Sequence, residues 1–158
     1  MQEVIPAGSL TLAGTPVRCG VARTVVAPIG DIAMTYPGAI VLNPRLFSMP
    51  PAIQHFWYAH ECAHQLFGYD EQNADCWAIQ TGKRMGWFRM EDFQWMNREL
   101  QYLPGDADHL PGPERLAGLK SCYAAGAAPE VQPVPEARPA TATRIARQAP
   151  ALHSRPSS

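Results

Sequence analysis

His60, Glu61 and His64 stand in the run His60-Glu61-Cys62-Ala63-His64, which sets two imidazoles four positions apart with a carboxylate directly after the first. On a helix of about 3.6 residues per turn, positions four apart come round to within about 40° of each other. Both rings can therefore reach one cation. Glu61 leans off the same face, where its carboxylate can take a proton from water activated by that ion. The chemistry this pattern points to is metal-assisted hydrolysis, with zinc as the usual ion for H-E-x-x-H.

A helix must carry these residues, and the flanking sequence supplies its signals. Ser48 is the expected N-cap, Pro50 and Pro51 suit a first turn, and Gly68 is expected to end the helix in the left-handed conformation. Ile53, Phe56, Trp57, Ala63, Leu66 and Phe67 provide the apolar stripe that buries it. A catalytic zinc usually takes three protein ligands and keeps one position open, so a third is needed. Beyond Gly68, residues 69–78 predict a second helix with Asp70 near its cap, and Glu71 and Asp75 share one face of it. If that face looks back across the Gly68 turn, Glu71 completes a His, His, Glu set. Asp75, one turn deeper, is then placed to accept the second ring N–H of a ligand histidine. Spacing alone leaves the reverse assignment open, with Asp75 on the metal. An acidic start that suits the helix dipole accounts for Asp70 and Glu71, but not for Asp75 on the same face.

H-E-x-x-H followed by E-x-x-A-D resembles the gluzincin metallopeptidases, in particular small relatives of the CAAX-processing and heat-shock membrane proteases, and also the domains that cleave phage-type repressors. The resemblance implies a zincin-like fold in which His60, His64 and Glu71 bind Zn2+, Glu61 is the general base and Asp75 supports a ligand. Ala39-Ile40-Val41-Leu42-Asn43-Pro44 resembles the edge strand that precedes the active-site helix in zincins, so Ile40, Val41 and Leu42 are expected to pair with extended substrate. His109-Leu110-Pro111-Gly112-Pro113-Glu114-Arg115 resembles the H-P-x-x-x-x-R segment of the CAAX-type proteases, with Leu110 where the family has proline. Two other departures are the short His64-to-Glu71 spacing and the lack of a membrane span. The likeness runs from about residue 38 to residue 122. The reaction it implies is peptide-bond hydrolysis by a zinc-bound water. His109 is the candidate donor to the oxyanion, with Tyr58 and Tyr69 behind it, and Arg115 is expected to pair with an acidic group or carbonyls near the site.

The remaining sequence frames this site. A chain of 158 residues allows one domain. We expect a flexible N-terminus over 1–7, the metallopeptidase domain over 8–124, and a disordered tail rich in Pro, Ala and Arg over 125–158. The tail arginines Arg138, Arg144, Arg147 and Arg155 read as a solvated face, with no partner specified. A formal net charge of −1 with 46% hydrophobic residues gives no sign of nucleic-acid binding. Leu10–Leu12, Val17–Val26, Ile32–Met34 and Ala39–Leu42 predict a short, mostly antiparallel sheet. Met90–Tyr102 and Pro113–Tyr123 predict two further helices, which completes an α+β arrangement.

Four cysteines bear on the compartment. Cys62 lies about 200° round the helix from His60, and Cys76 about 140° round from Glu71, so both point away from the proposed metal. A Cys62–Cys76 disulfide is the expected clamp on the two helices, stabilising by about 3 kcal/mol in the chain-entropy model. Cys19–Cys122 is then the second pair; two other connectivities, and four free buried thiols in a cytosolic protein, remain open. Paired cysteines imply a secreted or periplasmic protein, although the start Met1-Gln2-Glu3 shows no leader and leaves a cytoplasmic location as the alternative. Two other functions compete with a secreted peptidase: a secreted binding protein with a silent zinc, presenting Trp87, Phe88, Phe93 and Trp95 to a partner, and an intracellular protease that cuts a repressor, which depends on reduced cysteines.

Overall fold

Residues 2–126 are described by a computed structural model of the chain. The β-rich first third forms two sheets. Strands β1 (Glu3–Ile5), β4 (Arg23–Val26), β5 (Ala33–Tyr36) and β6 (Ala39–Leu42) make a four-stranded sheet in the order β1-β4-β6-β5. Strands β2 (Leu10–Leu12) and β3 (Thr15–Val17) form a separate hairpin. The larger sheet is mixed: β1 with β4 and β5 with β6 are antiparallel, whereas β4 with β6 is parallel. The expected strand over 17–26 is thus cut short at Val17 and resumes at Arg23. Glu3–Ile5, expected to be flexible, pairs with Thr24–Val26 as an edge. Pro37 and Gly38, the latter at φ 76°, supply the Pro-Gly pattern of a type II turn between β5 and β6.

Strand β6 is not the edge that the resemblance implied. Ile40, Val41 and Leu42 are buried and hydrogen-bonded on both sides, by β4 and by β5, so their backbone has nothing left to offer a substrate. The free edge of the sheet on this side belongs to β5.

Helix α1 (Pro51–Phe67) is the central element, with Ala52–Phe56 and Tyr58–His64 buried. Pro50, rather than Ser48, precedes its first turn, because Ser48 closes a 3-10 helix over Pro44–Ser48 that Asn43 caps. One side of α1 packs on the sheet and hairpin through Tyr58 and Cys62, together with Leu10, Leu12, Ile40, Leu42 and Leu46. The other side, through Ile53, Phe56 and Ala59, meets α2 (Glu71–Met85), α3 (Phe93–Leu100) and α4 (Gly112–Ala125). A sheet on one face of α1 and helices on the other make the domain α+β. Phe88 and Phe93 lie in this second core, at 2% and 6% exposure, and do not form an exposed aromatic surface. The last residue of α4, Ala125, falls at the start of the expected tail; from residue 127 onward that expectation lies outside the described residues.

The cysteine pairing differs from the expected one. Cys19 bonds Cys62, and Cys76 bonds Cys122. Cys62 does point away from His60, but the back of α1 faces the hairpin and Cys19, not α2. Cys76, on the far side of α2 from Glu71, meets α4. Each disulfide therefore ties α1 or α2 to its outer neighbour.

Candidate metal centre

Gly68 determines how α1 hands over to α2. Its φ of 108° and ψ of −169° lie in a region that essentially only glycine occupies, rather than in the left-handed helical region expected. In that conformation its carbonyl accepts a hydrogen bond from His64 Nδ1 at 2.9 Å. Two residues on, the Asp70 side chain caps α2 by accepting from the Asn73 amide at 2.8 Å. The second helix then runs back along the first, with Glu71 and Asp75 turned toward the histidines.

Three donors converge there. His60 Nε2 lies 3.2 Å from His64 Nε2 and 3.0 Å from Glu71 Oε1, and His64 Nε2 lies 3.3 Å from Glu71 Oε2. His60 and His64 are buried, while Glu71 stands half-buried at the rim. Asp75 sits behind His60, its Oδ1 2.8 Å from Nδ1. The N–H points off the direct line to that oxygen, so the contact is first of all electrostatic. Asp75 therefore faces the ring nitrogen opposite the convergence point. Arg115 on α4, buried and packed 5.3 Å from the Trp57 ring, grips Asp75 with both ends of its guanidinium, Nε to Oδ2 at 2.6 Å and Nη2 to Oδ1 at 2.7 Å.

The partners bear on the tautomers. The Gly68 carbonyl only accepts, so His64 Nδ1 carries hydrogen and its neutral ring presents a lone pair at Nε2; His60 has a carboxylate at each ring nitrogen, and a metal at Nε2 would leave its one proton on Nδ1, facing Asp75. Two ring nitrogens and a carboxylate face one another within 4.8 Å, an arrangement that could hold a metal ion. Their separations are close to the edge of about 3.3 Å between ligands held roughly 2.0–2.1 Å from a tetrahedral centre. The donor set therefore fits a metal ion of zinc's preferences. With protein groups alone around it, His60 favours positive charge. Burial opposes its protonation, yet the Asp75 and Glu71 carboxylates that face its two ring nitrogens, with the further charge of Glu61, raise its pKa to about 9. Burial would likewise raise Glu71 and Asp75, but the hydrogen bond with His60 holds Glu71, and the nearby His60 ring and the Arg115 guanidinium hold Asp75, below the usual carboxylate range.

A cleft of about 610 Å³ opens over these groups. Its walls include Ile32–Thr35 from β5 and its approach, Met49 and Trp57, the segment Leu103–Asp106, and Tyr69, His109 and Leu110. Glu61 is buried against the cleft floor, and Thr35 Oγ1 lies within hydrogen-bond distance of both its carboxylate and its backbone carbonyl. His109 reaches in from the loop between α3 and α4, with Nε2 3.2 Å from Glu71 Oε1 and Nδ1 3.0 Å from Asp106 Oδ1. That hydrogen bond, with the backbone amides of Asp108 and His109, pulls the Asp106 carboxyl below its usual range. Tyr69 stacks on His64 at 5.5 Å between centroids, whereas Tyr58 is buried in the sheet-side core and does not stand behind His109. Of the residues singled out from sequence, the structure brings together His60, Glu61, His64, Glu71, Asp75, His109 and Arg115, and leaves Ile40, Val41 and Leu42 outside the cleft. Thr35 and Asp106 carry no motif; only their place in the fold reveals them.

Compared with known proteins, the chain matches no family profile, no curated protein and no solved structure.

Proposed function

We propose that the protein is a zinc-dependent metallopeptidase of the gluzincin type, with His60, His64 and Glu71 as ligands and Glu61 as general base. The observation that carries this reading is the pair of Nε2 atoms and the Glu71 carboxylate converging beside Glu61 in an open cleft. Zinc held there supplies a Lewis acid for the scissile carbonyl and a water of lowered pKa.

The chain's own groups do the rest. Glu61 takes a proton from the attacking water and returns it to the leaving amine. His109, on the open side of Glu71, donates to the oxyanion that develops on the carbonyl oxygen. The free edge of β5 pairs with an extended peptide, the role first expected of β6. Met34, Met49, Trp57 and Leu103 provide apolar walls for its side chains.

All four cysteines are paired, which fits a secreted or periplasmic location and removes the reduced thiols on which an intracellular repressor-cleaving role depends. No helix among the described residues is long and apolar enough to cross a membrane. The deciding experiment is Glu61→Gln assayed on a broad peptide library. Zinc content should stay at one per chain while cleavage falls by about 10²–10⁴-fold. Full activity in the variant, or a zinc-loaded wild type that cleaves nothing at any pH, refutes the proposal.

A further inference from the structure

We infer that Thr35 on β5 is the positioning residue that holds the Glu61 carboxylate in its working orientation, an inference that rests on the peptidase reading above. Glu61 lies on α1 at the floor of the cleft, and burial alone does not choose which of its oxygens meets the water. The Thr35 hydroxyl is the group that makes this choice. It sits within hydrogen-bond distance of Oε1 and 3.0 Å from the Glu61 backbone carbonyl. A hydroxyl has one hydrogen to give, and an ionised oxygen is the stronger acceptor, so Thr35 donates to Oε1. With Thr35 on Oε1, Oε2 is the oxygen that receives the proton from water.

The position of Thr35 gives the contact a second meaning. It lies on the one strand of the sheet with a free edge along the cleft, between Met34 and Tyr36, and its backbone pairs with Ile40 of β6 on the inner side. Strand and general base are thus joined by one side chain. A peptide that adds to the edge of β5 orders the same strand that aims the base, so the substrate-binding edge and the proton acceptor are set in one frame. Threonine suits the task because its β-branched side chain has few χ1 states in a strand, which fixes the hydroxyl. A neighbouring Met or Tyr has no group able to donate at that reach.

Thr35→Val keeps the shape and the strand preference and removes only the donor, and Thr35→Ser restores the donor without the methyl. With wild type and Glu61→Gln as references on one cleaved peptide, Thr35→Val should lower kcat by roughly 10- to 100-fold, as expected for a catalytic group set free to wander by about 1 Å. KM and zinc content should change less than twofold, and Thr35→Ser should recover most of kcat. A purely structural role would lower melting temperature, zinc content and KM together and would not separate Val from Ser. Should Thr35→Val fold poorly, Thr35→Ala compared with Thr35→Ser makes the same contrast. Wild-type kcat in the donor-less variants, with Glu61→Gln inactive, overturns the Thr35 inference and leaves the peptidase intact. An inactive wild type, or an active Glu61→Gln, overturns both.

Discussion

Asp75→Asn tests the support behind the metal ligands, and the contacts allow its effect to be worked out. Oδ1 of Asp75 faces both His60 Nδ1, at 2.8 Å, and Arg115 Nη2, at 2.7 Å, while Oδ2 faces Arg115 Nε at 2.6 Å. An isosteric Asn keeps one acceptor and turns the other oxygen into a donor. If its oxygen stays at the Oδ1 place, His60 and Arg115 Nη2 are still served, and the amide nitrogen confronts Arg115 Nε–H. The opposite flip sets the amide against two donors and is worse. His60 therefore keeps its tautomer but loses the negative charge behind it, so zinc affinity should fall toward the low end of the 10–100-fold range known for such partners, about tenfold. Asp75→Leu, which leaves no acceptor, should reach about 100-fold. The second effect falls on Arg115, a buried cation deprived of its carboxylate, for which the cost is about 3–5 kcal/mol. One surviving hydrogen bond and the Trp57 face keep Asp75→Asn near 3 kcal/mol. Competition with a chromophoric chelator measures the first effect, and urea unfolding in EDTA the second. Wild-type zinc affinity in both variants refutes the reasoning that Asp75 orients His60.

Further outcomes follow from the same contacts. Because the folded chain without metal holds the His60 pKa at about 9, above its unfolded value near 6.5, the stabilisation is fully present below about pH 6.5 and is lost as pH rises through 9. Unfolding free energies from urea titrations in EDTA should therefore drop across that window by up to roughly 3 kcal/mol, and a flat or rising profile would contradict the local electrostatics. Zinc affinity should move the other way, rising with pH, since the proton on His60 must leave; isothermal titration in buffers of different ionisation enthalpy counts that proton. The disulfides close spans of 43 and 46 residues, so reducing each should cost about 4 kcal/mol in the chain-entropy model. Non-reducing peptide mapping should recover Cys19 linked to Cys62 and Cys76 linked to Cys122, and a Cys62–Cys76 peptide would contradict the packing of α1.

Helical periodicity made the candidate metal centre legible in the sequence. His60 with His64, and Glu71 with Asp75, are pairs four apart, and the glycine between the helices marks where the chain must double back. Spacing left open whether Glu71 or Asp75 joins the histidines; in the structure Glu71 gathers with both, while Asp75, one turn further along α2, meets the other ring nitrogen of His60. The strands were harder. Ala39–Leu42 is apolar at four successive positions, the pattern of a strand buried on both faces, and that signal outweighs the place of the strand before the helix. Parallel pairing of β4 with β6 depends on a crossover that no local pattern encodes. For the cysteines, the helical wheel correctly sent Cys62 and Cys76 to the back of their helices, but which element covers each back is a matter of tertiary packing. Thr35 had no signal at all, because one threonine in a strand is ordinary until Glu61 is found beside it.

The most direct measurement is diffraction from crystals of the zinc-loaded protein, with data on both sides of the zinc absorption edge. The account predicts a single anomalous peak about 2.0–2.2 Å from His60 Nε2, His64 Nε2 and a Glu71 oxygen, with Asp75 still behind His60. A peak elsewhere, a fourth protein ligand closing the site, or no zinc at these residues would contradict it.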